Sequence, residues 1–194
     1  LEPNNPVIAT SLGRSHMLVA QFFSKSNDKI NRDKEYEAAI LDLEKAISLK
    51  PNYAPSYLIL VQVFDQQGRA SDAINRAENL KNLAPNDVGL FFQLGLLHYR
   101  AERYDNARAE FERAVTLFPN YSNARYFLGL VYDRDGKRSK AIEQFEQIAV
   151  ANPNNDEVKN ILKNLKSGKA ALENKNQLPI MEIGGGPEKP ILGR

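Results

Sequence analysis

The residues that could do chemistry in this chain are few, and none stands in a catalytic pattern. His16 and His98 supply the only imidazoles, and cysteine is absent, so thiolate metal sites and disulfides are excluded. Three consecutive glycines, residues 184–186, lack the Gly-Lys-Ser that completes a phosphate loop. Motifs of serine hydrolases, zinc proteases and dinucleotide-binding enzymes are also missing. We therefore expect no enzyme activity, cofactor or metal ion in this segment.

Charge and hydropathy exclude further classes of partner. The formal net charge is +2, from 26 Lys and Arg against 24 Asp and Glu, which is too small to predict binding to nucleic acid or to an anionic membrane. Acidic residues stand three or four positions from basic ones, as in Glu110 and Arg113, which indicates solvent-facing helical surfaces. No apolar run approaches the ~18 residues of a membrane-spanning helix. We expect a soluble segment with no direct membrane insertion and, since it opens on Leu1 without a signal sequence, a piece of a longer or processed protein.

The elements that position these side chains follow a fixed period. Four prolines, each followed by asparagine, stand 34 residues apart, at Pro51, Pro85, Pro119 and Pro153. Proline ends a helix, and asparagine suits the turn that follows it. A period of this length is the signature of a repeat array.

Small and large residues recur at set positions within each period, counted from Ala54, Val88 and Ser122 as position 1. Small residues at positions 8 and 20, such as Gly95 and Ala107, allow two antiparallel helices to approach closely. Large residues beside the contact then fill the remaining space. Each period therefore predicts a helix pair that buries its faces only by stacking on neighbours. His16 and His98 both fall on position 11, where we expect them to pack in the core.

The first period is longer than the others. Pro3 and Pro51 are 48 residues apart, which leaves 14 residues beyond the period. Since this is about four helical turns, part of the insertion could lengthen helices without loss of phase. The polar run 24–28 is typical of a loop. We expect a long first helix to about Ser24, a loop to about Arg32 and then the second helix.

The chain resembles the tetratricopeptide repeat, a pattern carried by Leu94-Gly95, His98, Ala107, Phe111 and Pro119 and by their equivalents in the neighbouring periods. Tryptophan at position 4 is replaced by Tyr57, Phe91 and Arg125, of which Arg125 departs most. A weaker resemblance is to bacterial arrays of this family, including those at the C-terminus of O-antigen ligase-type membrane proteins. The resemblance implies an all-α fold: a right-handed solenoid of antiparallel helix pairs with about four repeats and a C-terminal capping helix.

On this basis we predict the domain organisation. The array covers residues 1–167, with repeats at about 6–53, 54–87, 88–121 and 122–153. A capping helix follows at about 155–167, because Val158, Ile161, Leu162 and Leu165 form one apolar stripe on an otherwise polar helix. Residues 168–194, which contain several glycines and prolines, are predicted to be a flexible tail.

The resemblance also implies a concave groove lined by the first helices of successive repeats. Its residues would be Arg14, Leu58, Gln62, Phe92, Gln93, Leu96, Tyr99, Arg100, Tyr126, Leu130 and Arg134. An apolar, aromatic centre with charged edges suits an extended peptide or a helix. The alternatives are that several of these residues only complete the core between repeats, or that the chain's own tail covers them. The clamp with which co-chaperone members hold a partner's terminal carboxylate is not matched, since Leu58 and Gln62 stand where Lys and Asn are needed.

Three functions remain open. The first is a protein-interaction scaffold that binds a peptide or helix in the groove. The second is the soluble accessory region of a bacterial membrane-bound glycan polymerase or O-antigen ligase-like protein. The third is an oligomerisation module, in which an exposed end of the array associates with another copy.

Overall fold

The computed structural model describes residues 4–172, and every regular element in that range is an α-helix. The helices are α1 (Pro6–Lys25), α2 (Lys29–Leu49), α3 (Ala54–Gln66), α4 (Ala70–Lys81), α5 (Val88–Arg100), α6 (Tyr104–Leu117), α7 (Ser122–Arg134), α8 (Arg138–Ala151) and α9 (Asp156–Lys166). They form two compact units. Unit 1 is Leu1–Pro85 with α1–α4, and unit 2 is Asn86–Arg194 with α5–α9. The predicted all-α class, built from helix pairs of the tetratricopeptide type, is confirmed.

The insertion of the first repeat is absorbed entirely by longer helices. α1 and α2 have 20 and 21 residues, against 13 and 14 in α5 and α6, so each is seven residues longer. Seven residues make about two turns, which preserves the phase of the apolar stripe. The prediction that α1 ends near Ser24 is confirmed, but the predicted loop to about Arg32 is wrong, because α2 already begins at Lys29.

A tight turn explains the early start of α2. Asn27 adopts φ 58°, and Asp28 follows as the N-cap. Its carboxylate accepts hydrogen bonds from the backbone N–H of Asn31 at 3.1 Å and from the Asn31 side chain at 2.6 Å. Both bonds lower the pKa of Asp28, and the bond from the Asn31 side chain has the larger effect. Residues 29–32, which were expected in the loop, form the first turn of α2 and are exposed or half-buried.

Glycines mark the closest approach within three of the helix pairs. A Cβ on Gly13 would lie 2.6 Å from Leu43 Cγ, and one on Gly129 would lie 2.6 Å from the Phe145 ring. At Gly95 the added atom would overlap the Phe111 ring. The predicted role of small residues at position 8 is confirmed at these contacts.

Unit 2 has an aromatic core. Phe111 and Phe145 are fully buried, and Phe111 stacks on Phe127 with ring centroids 5.6 Å apart. The predicted helix after Pro153 is α9, and its apolar stripe is buried against this core. Asn155 caps α9 by accepting the N–H of Val158 at 3.1 Å.

The departure at position 4 has a structural explanation. In unit 1 the Tyr57 hydroxyl donates to the Pro51 carbonyl at 2.9 Å. In unit 2 Arg125 donates from Nε to the equivalent carbonyl of Pro119 at 2.6 Å. Its guanidinium also donates to Gln144 Oε1 at 2.6 Å. Arginine therefore keeps the hydrogen bond to the proline carbonyl that would otherwise be donated by an aromatic hydroxyl.

Two expectations about polar residues are corrected. His98 is buried, as predicted, but His16 is not a core residue: its side chain is 37% exposed, and Nδ1 lies 2.6 Å from Glu35 Oε2. Glu35 belongs to the extra turns by which α2 exceeds the second helices of the other repeats. Glu110, expected on a solvated face, is buried because it shares the inward stripe of α6 with Ala107, Phe111 and Ala114.

Candidate peptide-binding surface

The aromatic residues predicted for the groove of unit 2 lie mostly inside its core. Phe92 packs against Tyr121, with centroids 5.0 Å apart, and against Phe127 at 6.1 Å. Phe92, Leu96, Tyr126 and Leu130 are all buried. Residues this enclosed offer little area to a partner, and they hold the accessible side chains in place.

The accessible predicted residues of unit 2 gather at the C-terminal ends of α5 and α7. Tyr99 is half-buried, with its ring 5.4 Å from Tyr104 and 5.5 Å from Phe127 in edge-on geometry. Arg134 is exposed, and its guanidinium carbon lies 3.4 Å from the centroid of the Tyr104 ring. This places a cation over an aromatic face, a favourable arrangement. Arg100 is exposed and Gln93 is half-buried on α5.

Tyr126 links α7 to α9. Its hydroxyl donates to Glu157 Oε1 at 3.1 Å, while its ring packs edge-on against Phe127 and Phe145. Burial, together with the negative charge of Glu157, raises the pKa of the Tyr126 hydroxyl above its ordinary value. The phenol therefore stays neutral and remains a hydrogen-bond donor near pH 7.

The chain after α9 turns back onto α7. Gly168 adopts φ 86°, and the next residue, Lys169, donates its N–H to the Asn164 carbonyl at 2.9 Å. Ala171 is then buried, and its N–H donates to Asp133 Oδ2 at 2.7 Å. The Asn164 side-chain amide donates to the Ala171 carbonyl at 3.2 Å. Two side chains, one on α7 and one on α9, thus hold both backbone groups of a single residue.

The sequence prediction missed part of this arrangement. Tyr104, Asn164 and Ala171 were not selected, although Tyr104 shares repeat position 17 with Tyr36 and Gly168 is a typical helix-ending residue. We define the α5–α7–α9 surface as the accessible side chains of Gln93, Tyr99, Arg100, Asp133, Arg134 and Asn164. The predicted tail is described only to Leu172, so its remainder lies outside the described residues.

In unit 1 the predicted residues form a different surface. Arg14 is exposed on α1, and Leu58 and Gln62 are half-buried on α3. Between these helices the Thr10 and Ser56 hydroxyls are 2.8 Å apart in a buried hydrogen bond. This face offers no aromatic ring among its predicted residues, in contrast to the surface of unit 2.

Of the helices between residues 4 and 172, none combines the length and the hydropathy that crossing a bilayer requires.

Comparison with known proteins supports the repeat assignment. Two family models described as tetratricopeptide repeat match residues 92–156 and 32–53. No curated protein sequence matches the chain. Among solved structures, MamA is 26% identical with a TM-score of 0.64, covering 73% of this chain and 82% of MamA.

Two further structures are similar in fold. YrrB, described as a TPR protein with an unusual peptide-binding site, is 22% identical over 79% of this chain and 75% of its own, with a TM-score of 0.61. The first TPR of Spaghetti (RPAP3), bound to an HSP90 peptide, is 21% identical over 59% of this chain and 91% of its own, with a TM-score of 0.56. The period, the glycine contacts and these matches agree in assigning tetratricopeptide repeats to residues 32–53 and 92–156 of this chain.

Proposed function

We propose that the chain is a protein-interaction scaffold and that the α5–α7–α9 surface binds a peptide segment of a partner. Two hydrogen bonds carry the proposal: the Asp133 carboxylate accepts the N–H of Ala171, and the Asn164 side-chain amide donates to the Ala171 carbonyl. Backbone groups are common to all peptides, so this pair can hold a main chain whatever its sequence.

The side chains around this pair supply selectivity. Tyr99 and Tyr104 provide aromatic faces on which an apolar side chain can pack. Arg100 and Arg134 are exposed cations at the edge of the surface. Arginine binds carboxylates through paired donors, so a peptide that combines apolar and acidic residues fits best. The peptide sites of YrrB and of Spaghetti provide a precedent on the same fold.

The test is a peptide-binding measurement on the full chain. Peptides selected from a random library would be labelled, and their affinity measured by fluorescence anisotropy. We expect Tyr99→Ala and Arg134→Ala each to weaken binding about tenfold, which corresponds to ~1.4 kcal/mol, the size of a moderate interface contact. Leu41→Ala, on α2 of unit 1, is the control and should leave the affinity unchanged.

One outcome of the binding measurement would contradict the proposal. Peptides that bind the chain but are insensitive to both Tyr99→Ala and Arg134→Ala would reject the α5–α7–α9 surface. Circular dichroism of each variant shows whether the helices are retained, so that lost binding is not confused with lost folding.

A second function, self-association, is favoured by the outer face of α1. Five large apolar side chains on this helix are 41–67% exposed: Val7, Leu12, Leu18, Val19 and Phe22. At ~100° per residue they share one half of the helix, opposite the buried stripe of Ala9, Gly13 and Met17.

The occupant we propose for this face is the same face of a second copy. Ser11 and Ser15 lie within it, and their hydroxyls donate to the carbonyls of Val7 at 2.9 Å and Ser11 at 3.0 Å. Their polar atoms are thus already bonded, and their small size permits close helix approach. The five side chains expose on the order of 500 Å² per copy, so a symmetric pair would bury about 1,000 Å², the lower limit for a specific interface.

Sedimentation equilibrium tests this second function. Self-association should rise with protein concentration, and Phe22→Glu should abolish it. Leu41→Glu, an equally exposed position on α2, is the matched control and should not. A monomer at all concentrations up to about 0.5 mM would contradict dimerisation, since Kd values above this correspond to a binding free energy of less than ~5 kcal/mol. The membrane-bound glycan-enzyme alternative stays a prediction, as no feature of residues 4–172 favours it.

A further inference from the structure

The segment that follows α9 already lies on the proposed peptide surface. Ala171 is 2% exposed, and Leu172 packs against the aromatic core of unit 2. The segment is held there through its main chain, because the N–H and the carbonyl of Ala171 form hydrogen bonds with the side chains of Asp133 and Asn164. The chain thus presents to this surface the kind of ligand that the surface is suited to bind.

We infer that residues 173–194 continue across the α5–α7–α9 surface and act as an internal competitor for partner peptides. This inference rests on the proposed function, and it names the first ligand of that site as the chain's own C-terminal segment.

The length of this segment is sufficient. Twenty-two residues follow Leu172, and the apolar run Leu178-Pro179-Ile180-Met181 begins six residues later. Six residues span at most ~20 Å when extended. α5 and α7 are neighbours, because the Tyr99 ring lies 5.5 Å from Phe127 on α7. Neighbouring helix axes are ~8–10 Å apart, so the segment is long enough to pass from α7 to α5.

The composition of the segment complements the surface. Its apolar run offers side chains to the two tyrosine rings, and Glu173 and Glu182 flank that run. These carboxylates match Arg100 and Arg134, the exposed cations of the surface. A partner peptide of the class proposed above would carry the same two kinds of side chain, so partner and tail compete for the same contacts.

The effect of this competition on the apparent affinity for a partner peptide can be calculated. If the tail occupies the surface for about nine-tenths of the time, the apparent affinity for a partner peptide falls about tenfold. Because the tail is tethered, its effective concentration is in the millimolar range, so a weak intrinsic affinity suffices. The tail therefore sets a threshold that only a tighter or more concentrated partner exceeds.

The first experiment reports whether the tail is held on the surface. The chain contains no tryptophan, so Met181→Trp introduces a single indole in the full-length protein. We expect a shorter emission wavelength and at least threefold less acrylamide quenching than in urea. Asp133→Ala and Tyr99→Ala should each reverse both effects, whereas Asn160→Ala, an exposed position on α9, should not. Quenching equal to that in urea, in a protein with native circular dichroism, would overturn the inference.

The second experiment separates this inference from the proposed function. Leu178→Asp combined with Ile180→Asp disables the tail, and we expect the affinity for library-selected peptides to rise about tenfold. The effect of Tyr99→Ala on peptide binding is measured in this tail variant, because there it releases no tail that would offset the lost contact. If the affinity stays the same while peptides still respond to Tyr99→Ala, the scaffold function holds and the tail inference fails. Suppose instead that the indole is protected from quenching, with the protection lost in Asp133→Ala and Tyr99→Ala, while no peptide binds even the tail variant. In that case the tail inference holds and the proposal that the surface binds partner peptides is rejected.

Discussion

The α3–α4 pair of unit 1 and the α5–α6 pair of unit 2 fill the same contact between their helices in opposite ways. At repeat position 8 the first helix carries Val61 in unit 1 and Gly95 in unit 2; at position 24 the second helix carries Ala77 and Phe111. All four residues are buried. The larger side chain belongs to the first helix in unit 1 and to the second helix in unit 2, and the space between the helices is filled in both. The repeat pattern therefore constrains the combined size of the residues at positions 8 and 24, and does not constrain the size at either position alone.

The largest expected effect comes from emptying this contact in unit 2. Phe111→Ala should cost about 3–5 kcal/mol of unfolding free energy, because it leaves a cavity beside Gly95. Adding Gly95→Val recreates the arrangement of α3–α4 and should recover at least ~1 kcal/mol, although a valine on Gly95 alone is destabilising. Urea unfolding followed by circular dichroism measures both values. If the double variant loses as much as the sum of the single ones, the comparison between the pairs is incorrect.

A second test uses two tyrosines that stand two residues after a repeat-ending proline, Tyr53 in unit 1 and Tyr121 in unit 2. Tyr121 is buried against Phe92, and burial, with a smaller effect of Asp87, raises its pKa to about 12. The unfolded chain loses this proton near pH 10, whereas the folded chain keeps it to about pH 12, so stability falls across that interval. The loss from this residue is at most about 2–3 kcal/mol.

Thermal unfolding between pH 9 and 12 checks the sign. Tyr121→Phe should flatten the decline in melting temperature over this range. Tyr53→Phe is the matched control at a half-buried site and should leave the profile as it is. A decline that is equally steep with Tyr121→Phe would show that other groups control the alkaline limit.

A third test adds one methyl group at the tight contact. Gly95→Ala should lower the unfolding free energy by about 1–2 kcal/mol, because the new Cβ would overlap the Phe111 ring. This loss occurs although alanine favours a helix over glycine by ~1 kcal/mol. Gly89→Ala, in the same helix and near only the Asp87 carboxylate, should be neutral or stabilising. Equal responses at the two sites in urea titrations would rule out steric control at position 8.

The smallest effect concerns the turns of the two pairs. Gly68 in unit 1 and Glu102 in unit 2 both adopt positive φ, 74° and 56°. This conformation is strained for a residue with a Cβ, so Glu102→Gly should stabilise unit 2 by about 1 kcal/mol. The reverse change, Gly68→Glu, should destabilise unit 1 by a similar amount. A shift of the same sign in both variants would contradict this explanation.

The sequence predicted the helix pairs because their determinants are local and repeated. Alanine at position 20 and proline at position 32 recur at a constant spacing, so each repeat supports the assignment of the others. The division of the insertion between α1 and α2 was not predictable from this pattern, since its polar residues suit an exposed helix as well as a loop. The burial of Phe92 and Leu96 depends on neighbours distant in sequence, such as Tyr121 and Phe127. The contacts of Ala171 depend on a chain reversal that no repeat pattern encodes.

The equal lengthening of α1 and α2 has a consequence for how such repeats diverge. Seven residues rotate a helix by ~700°, which is within about 20° of two full turns. An insertion of five would rotate the continuing stripe by ~140° and turn Ala39 and Leu43 away from α1. Natural variation in the length of this hairpin should therefore come in steps of about one heptad on each arm. A gain on one arm alone would leave the other without a partner, so paired insertions and deletions are the genetic signature to expect.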